Sequence, residues 1–322
     1  MKYLIVAVLC LAGIIAISIR ETDLTEIAEI PIDIVNNSSN TAEVTGKDEL
    51  NPEWKEYWYS GVAELSGYDL EQSRYGEIHK GSATMIFVTE PFSRKKQVKL
   101  DNPGPAGSDK VSVLKLNFTR NFLTGIYPYS LMTSVFNPVN TDEYQNALKL
   151  TMSGQEWCGQ VFLQLNKDGG QFDVKSYSYF ESEGDEFFSV NGAYLEDELY
   201  NLIRFDAGLL PLGEIEIIPS AVVSRLMHQE LKPYKAIARL QKTDWRGKEV
   251  NVYSLKYSES NRMLRIYFGS EFPRLIEGWE DTYAGYGSEP LTSVAVRKNT
   301  IQQDYWNKNS NEFRNLNKKL YQ

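Results

Sequence analysis

The chain has 322 residues, of which 42% are hydrophobic and 24% charged, a composition typical of a globular protein with one large or two small domains. Its formal net charge is -9 and its sequence pI is about 5.0. Nucleic-acid-binding proteins usually carry a clustered basic surface, and the densest basic cluster here is Arg94-Lys95-Lys96, so the composition argues against a nucleic-acid partner.

The N-terminus predicts a membrane-targeting segment over residues 1–20. Lys2 is followed by an uninterrupted apolar run from Tyr3 to Ile19, which ends at Arg20. The run is at the short end for a helix that spans a bilayer and long for the core of a cleaved signal peptide. Both interpretations, a membrane anchor and a signal peptide, therefore stay open.

The two cysteines leave no partner for an internal disulfide in the body of the protein. Cys10 lies in the apolar N-terminal run, and Cys158 lies between Trp157 and Gly159. The second position predicts a small apolar side chain in the core rather than a reactive thiol.

Residues 21–50 differ sharply from the rest of the chain. They contain eight Asp and Glu residues against Lys47 alone, and no aromatic residue. Such a segment cannot bury enough apolar area to offset the entropy of ordering, so we predict a flexible acidic tether. A domain at 51–322 would then be held in the cell envelope, either anchored in the inner membrane or exported to the periplasm.

Strand patterns dominate the predicted domain. Alternating or continuous apolar runs separated by turn residues indicate strands, because side chains alternate between the two faces of a sheet. The Pro- and Gly-rich segment 101–108 is a predicted loop. The predicted strands are 58–65, 82–89, 111–119, 126–136, 146–152, 160–165, 172–180, 234–241, 249–257, 263–268, 274–279 and 292–297.

The clearest local prediction is a hairpin between the strands 160–165 and 172–180. The step Asp168-Gly169-Gly170 supplies residues that tolerate a positive φ, which tight hairpin turns require. In the second strand Phe172 and Val174 share one face, and the opposite face is more polar but contains tyrosines.

Helical spacing occurs in three places only. Leucines recur at helical intervals over 194–205, Pro219-Ser220 precedes a short helix over 221–228, and an amphipathic pattern follows Ser310. The few helices between strands favour antiparallel meanders. We predict a mainly β fold, either a large curved antiparallel sheet or two packed sheets, open-barrel or sandwich-like, with short helices covering one opening and a possible division into halves near 190–232.

Six stretches of the chain carry a resemblance to known sequences, at 60–65, 81–90, 178–181, 209–213, 217–220 and 278–280. They resemble an uncharacterised family of exported or membrane-anchored bacterial proteins whose members sometimes carry a septum-formation-inhibitor (Maf) label. The resemblance covers most of residues 51–310 and implies no established activity. The chain lacks the Ser-Pro-Arg-Arg pattern of true Maf nucleotide pyrophosphatases, so that activity is not transferred. The early Gly-x-Ala strand is also similar to periplasmic β-sheet proteins of lipid or lipoprotein handling.

Two tyrosines are the first candidates for ligand binding. Tyr177 and Tyr179 lie on the strand face opposite Phe172, Val174 and Phe180. Aromatic rings on a second face indicate either another packing layer or a ligand, since they offer apolar area together with a polar tip.

The second candidate surrounds Trp279. A pair of acids beside an aromatic ring is what a glycosidase uses. On an extended strand Glu277 shares a face with Trp279 and with Asp281, but the two acids would be about 13 Å apart, too far for either glycosidase geometry. Glu277 and Trp279 are therefore ligand-binding candidates, and no residue is predicted to be catalytic.

Motifs for metal or cofactor chemistry were not found in the sequence. His79 and His228 have no metal-ligand spacing, and there is no Gly-x-Ser-x-Gly elbow, phosphate loop or His-Glu-x-x-His motif. We therefore predict no metal and no cofactor. The leading hypothesis is a non-enzymatic, membrane-tethered envelope protein that binds an apolar or amphipathic ligand, such as a lipid, or an envelope protein. The alternative is a glycan-binding or glycoside-hydrolase-like β-sandwich.

Overall fold

The computed structural model describes residues 52–285 and 289–322, and within them sixteen strands form one sheet. The predicted mainly β fold is confirmed, in its single-sheet form. The strands are β1 (Ala63–Arg74), β2 (Glu77–Ser93), β3 (Val98–Lys99), β4 (Lys110–Thr124), β5 (Tyr127–Pro138), β6 (Lys149–Glu156), β7 (Gly159–Asp168), β8 (Gln171–Ser178), β9 (Asp185–Asn191), β10 (Tyr194–Leu195), β11 (Gly213–Ile218), β12 (Tyr234–Trp245), β13 (Lys248–Tyr257), β14 (Met263–Phe268), β15 (Ile276–Ala284) and β16 (Pro290–Gln303).

The sheet is a long meander that begins in the middle of the strand order. The order is β10-β11-β12-β13-β14-β15-β16-β1-β2-β4-β5-β6-β7-β8-β9, with β3 paired to β2. Every pair is antiparallel except β10 with β11. Strands β9 and β10 are the two ends of the order, and only Gly192 and Ala193 separate them along the chain. In the described residues no ladder pairs β9 with β10, so the sheet curves but does not close.

The predicted hairpin is confirmed by the pairing of β7 with β8. The register places Lys167 opposite Phe172, and Gly169 has a φ of 53°. Phe172 and Val174 are buried on the inner face of β8. The second strand ends at Ser178, two residues earlier than predicted.

Four short α-helices accompany the sheet in the described residues: α1 (Pro52–Trp58), α2 (Leu199–Phe205), α3 (Ala221–Met227) and α4 (Arg314–Lys319). The predicted helices over 194–205, over 221–228 and after Ser310 correspond to α2, α3 and α4. The predicted strand 58–65 is wrong over its first half, because Trp58 ends α1 and β1 begins at Ala63. Trp54 and Trp58, four residues apart, lie on the buried face of α1, and aromatic residues suit a helix face as well as a strand.

Helices α2 and α3 pack inside the curve of the sheet rather than merely covering an opening. All seven residues of α2 are buried. Tyr200 of α2 contacts the rings of Phe118 and Trp279, with centroids 5.4 and 6.4 Å away. Val222 and Leu226 of α3 belong to a second core cluster formed with strands β4–β9. The region near 190–232 therefore supplies interior helices, and the strands before and after it belong to the same sheet.

Three consecutive buried acids fasten this helical region to the sheet. Glu196 receives hydrogen bonds from Arg262 and Tyr257. Asp197 accepts from the Ser220 hydroxyl and from the backbone N–H of Ala221, both at 2.8 Å.

The third acid, Glu198, accepts from the backbone N–H groups of Leu195 and Ala147 and from the Asn137 amide. Buried carboxylates are tolerated only when such partners satisfy them. Each acid therefore fixes the inner helices to a different part of the sheet or of the inner segment itself.

The predicted membrane-targeting segment at 1–20 and the predicted tether at 21–50 lie outside the described residues. Within residues 52–285 and 289–322, no helix combines the length and the apolar character that crossing a bilayer requires.

Candidate functional site

The site is a cavity of about 310 Å³ between α3 and strands β6–β9, which we call the entrance cavity. Its wall includes an apolar set from both sides: Met152, Val161, Leu163, Phe188, Ala221 and Leu231. The polar lining residues are Ser176, Ser178, Ser182, Glu183, Glu186, Ser224, Arg225, His228, Gln229 and Glu230, and Phe162 and Tyr177, whose rings lie on the outer face of the sheet, complete the lining. Small-molecule sites usually combine apolar side chains with a few polar groups, and this lining is more polar than that.

Local sequence explains how the two sides of the cavity are positioned. Helix α3 ends at Met227 because His228 adopts the left-handed conformation, with a φ of 53°, and its N–H bonds back to the carbonyls of Ser224 and Arg225. The opposite rim is the link between β8 and β9, where the N–H groups of Glu183 and Gly184 both donate to the carbonyl of Phe180.

Glu183 joins these two sides through a small charged network. Its carboxylate accepts hydrogen bonds from the Ser178 hydroxyl at 2.6 Å, from Arg225 at 3.3 Å and from Nδ1 of His228. Arg225 also lies over the ring of Phe180, 4.6 Å from its centroid. This network holds the end of α3 against the β8–β9 link at the rim of the cavity.

The network also sets the charge of Glu183. Partial burial alone would raise the pKa of its carboxyl, but the hydrogen bonds from Ser178 and His228 and the charge of Arg225 outweigh burial and lower the pKa below its usual range. Glu183 is therefore a carboxylate at neutral pH, already neutralised by its neighbours.

The order of these groups does not suit nucleophilic catalysis. In a serine triad the histidine bonds directly to the serine hydroxyl and takes its proton. Here the Glu183 carboxylate lies between Ser178 and His228, so the hydroxyl donates to the acid instead. The arrangement can hold a polar group, but it does not activate Ser178.

One polar atom in the wall is left unsatisfied. The side-chain hydroxyl of Ser224 is buried and, among the described residues, has no hydrogen-bond partner. Ser224 lies on α3 and lines the entrance cavity. A buried hydroxyl without a partner is costly, and because this oxygen is inaccessible to water in the structure, a polar atom of a bound molecule could pair with it only after the wall moves.

The structure separates the four sequence-predicted ligand-binding residues. Tyr177 lies at the wall of the entrance cavity, 40% exposed, beside Phe162 and Phe187. Tyr179 follows the end of β8 and is 64% exposed. Trp279 is instead core, only 2% exposed, with its ring against Tyr68, Phe118 and Tyr200.

Glu277 lies apart from the other candidates. It is the extra residue where β15 slips against β14, since Gly278 and Ile276 pair with consecutive residues of β14. Its carboxylate makes a two-oxygen ion pair with Arg297, at 2.8 and 2.9 Å. The other two acids near Trp279 are also engaged, Glu280 with Arg265 and Asp281 with Arg262.

The prediction for Cys158 is wrong, because this residue lies exposed in the turn between β6 and β7. Hydrogen bonding and charge from Glu156 raise the pKa of its thiol, which disfavours the reactive thiolate. In the described parts of the chain, no three His, Cys, Asp or Glu side chains come together as a metal site.

Sequence reasoning missed the residues that form the entrance cavity. The acids 181–186 look like a solvated loop, which is wrong for Asp185 and Glu186 because they begin β9, and His228 looks like a helix end, which is correct. Their meeting depends on α3 folding inside the sheet. This fold brings His228 to Glu183, which lies 45 residues earlier in the chain. No protein-family model, curated protein or solved structure matches this chain, so the family resemblance stays a prediction.

Proposed function

We propose that this chain is a membrane-tethered binding protein of the cell envelope, not an enzyme, and that it holds a single-chain amphipathic molecule in the entrance cavity. The observation that carries this proposal is a cavity lined by apolar and polar side chains together, beside the buried Ser224 hydroxyl, which has no partner in the described chain. The volume is at the low end of the roughly 300–1,000 Å³ of known ligand sites, which favours one alkyl chain over two.

The charges of the rim favour a neutral or cationic polar end on the ligand. Arg225 forms an ion pair with Glu183, and Lys232 forms one with Glu230. Glu186 lies in the wall with no ion pair to another described residue. An anionic end would therefore meet unbalanced negative charge, whereas a hydroxyl or an amine would find acceptors.

The carbohydrate alternative has less support from the geometry. It relied on Tyr177, Tyr179, Trp279 and an acid, and Trp279 lies in the core while Glu277 is bound to Arg297. Tyr177 alone lines the cavity. A sugar-bearing probe is therefore included in the test as the competing ligand class.

The test is equilibrium binding of three probes to the full chain in phosphatidylcholine nanodiscs, with empty nanodiscs as the blank. The probes are a dansyl-labelled alkyl alcohol, the carboxylate of the same length, and a dansyl-labelled oligosaccharide without an alkyl chain. We expect saturable binding of the alcohol, weaker binding of the carboxylate and none of the sugar. Saturable binding of the sugar alone would support the alternative instead, and no saturable binding of either alkyl probe contradicts the proposal.

A matched pair of variants locates the site. Ser224→Leu fills the entrance cavity without removing a hydrogen bond that the described residues make, and should weaken alcohol binding by at least tenfold. Ser254→Leu makes the same change on β13, away from the cavity, and should leave binding unchanged. Equal binding by the two variants, with unfolding midpoints alike, would place the ligand elsewhere.

A further inference from the structure

A cluster of apolar side chains projects from four strand connections, and from the strand end beside one of them, at one end of the sheet. These connections join β1 to β2, β4 to β5, β6 to β7 and β8 to β9. Their side chains Tyr75, Leu123, Ile126, Trp157 and Tyr179 are between 53 and 78% exposed. We call these five residues the turn surface.

Ring contacts show that the four connections are neighbours. Tyr127 links them, with its ring centroid 6.2 Å from Trp157 and 5.9 Å from Tyr129. Tyr129 in turn lies 6.5 Å from Tyr75. On the other side, the ring of Tyr179 packs on the backbone of Gly159, where a side-chain carbon would come within 2.6 Å of it.

The turn surface adjoins the entrance cavity. Arg74, beside Tyr75, donates to the carbonyl of Leu226 at the end of α3. The β8–β9 connection that carries Tyr179 also carries Glu183 of the cavity rim. A body that covered the turn surface would therefore also face the mouth of the cavity.

Composition decides which partner fits this surface. Tyr and Trp are enriched where proteins meet the interface of a bilayer, and Leu123 and Ile126 add aliphatic area with no face on which a sugar ring stacks. The acids Glu77, Glu156 and Glu181 lie in the same connections, and the guanidinium of Arg74 is turned inward. Contact with a bilayer would thus depend on apolar burial and not on attraction to anionic lipids.

The length of the chain before the described residues permits such contact. Thirty-one residues separate Arg20 from Pro52, which corresponds to at most about 100 Å of extended chain. Helix α1 packs near the start of β1, at the end opposite the turn surface, and the twelve residues of β1 span about 40 Å. The chain is therefore long enough for the turn surface to reach the bilayer that residues 1–20 are proposed to enter.

We propose that the turn surface docks onto the lipid–water interface, with Trp157 and Ile126 at headgroup depth and the entrance cavity facing the bilayer. The proposal rests on the membrane tether of the proposed function but not on its ligand. It assigns these connections a second, reversible membrane contact besides the tether.

The test measures the depth of one residue in vesicles. The full chain with Cys10→Ser is reconstituted into vesicles of zwitterionic phosphatidylcholine and labelled at the exposed Cys158 with an environment-sensitive fluorophore. The control carries Cys10→Ser, Cys158→Ser and Gly170→Cys, which places the same label in the β7–β8 turn at the far end of the sheet, where a side chain meets nothing within 4 Å.

We expect the label at Cys158 to shift to shorter wavelength and to be quenched by nitroxide-labelled lipid, and the label at position 170 to show neither effect. High salt should leave the difference intact. The double change Ile126→Ser with Trp157→Ser should reduce the quenching several-fold at an unchanged unfolding midpoint. Equal quenching of the two labels overturns the docking proposal while the chain still floats with the vesicles. Failure to float overturns both the docking and the tether, and neither result bears on the probe-binding test.

Discussion

The two inner helices pack against opposite parts of one sheet with different results. On the closed side, α2 and Glu196 meet β13–β15, and the buried charges of Glu196, Asp281 and Arg262 satisfy one another. On the open side, α3 meets β6–β9, and the side chains of Arg225 and Glu183, 14 and 26% exposed, form an ion pair at the rim of a cavity. The same sheet is thus sealed where one buried guanidinium binds two buried carboxylates, and it leaves a cavity where the charged side chains are partly exposed.

The largest loss of stability should come from removing the buried ion pairs of the closed side. Arg262→Met removes the partner of both Glu196 and Asp281, which are 3 and 7% exposed. Because uncompensated buried charge is expensive, we expect a loss of about 3–5 kcal/mol in the free energy of unfolding. Denaturant unfolding of the purified chain measures it.

Arg265→Met, three residues along the chain and within β14, is the matched control. Arg265 is paired with Glu280 near the surface, at 3.2 Å, and its side chain is 41% exposed. We expect a loss of only about 0–1 kcal/mol. If the two variants unfolded alike, burial would not be what distinguishes the closed side.

The closed side also shows how far sequence could lead. The hairpin of β7 and β8 was predictable because alternation and the turn at Gly169 are local features. The burial of Trp279 and Asp281 was not, because it depends on β13–β16 and α2 coming together from different parts of the chain. The entrance cavity was hidden for the same reason, since Glu183 and His228 acquire a role only when α3 folds inward.

Asp197 lies at the junction of the two sides and should give a pH-dependent effect. Burial is the main cause that raises the pKa of Asp197 to about 6, from an ordinary 3.8. A raised pKa means that the folded state binds more protons than the unfolded state between about pH 4 and 6. The contribution of Asp197 to stability therefore falls as pH rises through that window, by about 3 kcal/mol.

The measurement compares wild type with Asp197→Asn, so that all other titrations cancel. The free energy of unfolding of wild type minus that of the variant should decrease from pH 4 to pH 7 and then level off. A difference that stays constant across this range would show that Asp197 keeps an ordinary pKa in the folded chain.

A smaller effect should come from the hairpin that forms the wall of the open side. Gly169 has a φ of 53°, which a β-branched residue adopts only with strain. Gly169→Val should cost about 1–3 kcal/mol of unfolding free energy. The next residue is the control, because a side chain at Gly170 meets nothing within 4 Å and its φ is not in the left-handed region. A loss from Gly170→Val as large as that from Gly169→Val would contradict the turn assignment.

The smallest effect on stability should come from a change at Ser224 on the open side. Its buried hydroxyl has no partner among the described residues, so Ser224→Ala removes a group that the folded chain does not satisfy. We expect the free energy of unfolding to stay within about 0.5 kcal/mol of wild type or to rise, because an unpaired polar group contributes no favourable hydrogen bond.

If the Ser224 hydroxyl binds a ligand, the binding free energy of the labelled alcohol should weaken by about 0.5–1.5 kcal/mol in the variant, up to roughly tenfold in affinity. Stability and affinity would then respond in opposite directions at one residue. A variant that loses stability and keeps its affinity would mean that Ser224 serves packing alone and that the open side is closed to ligands at this point.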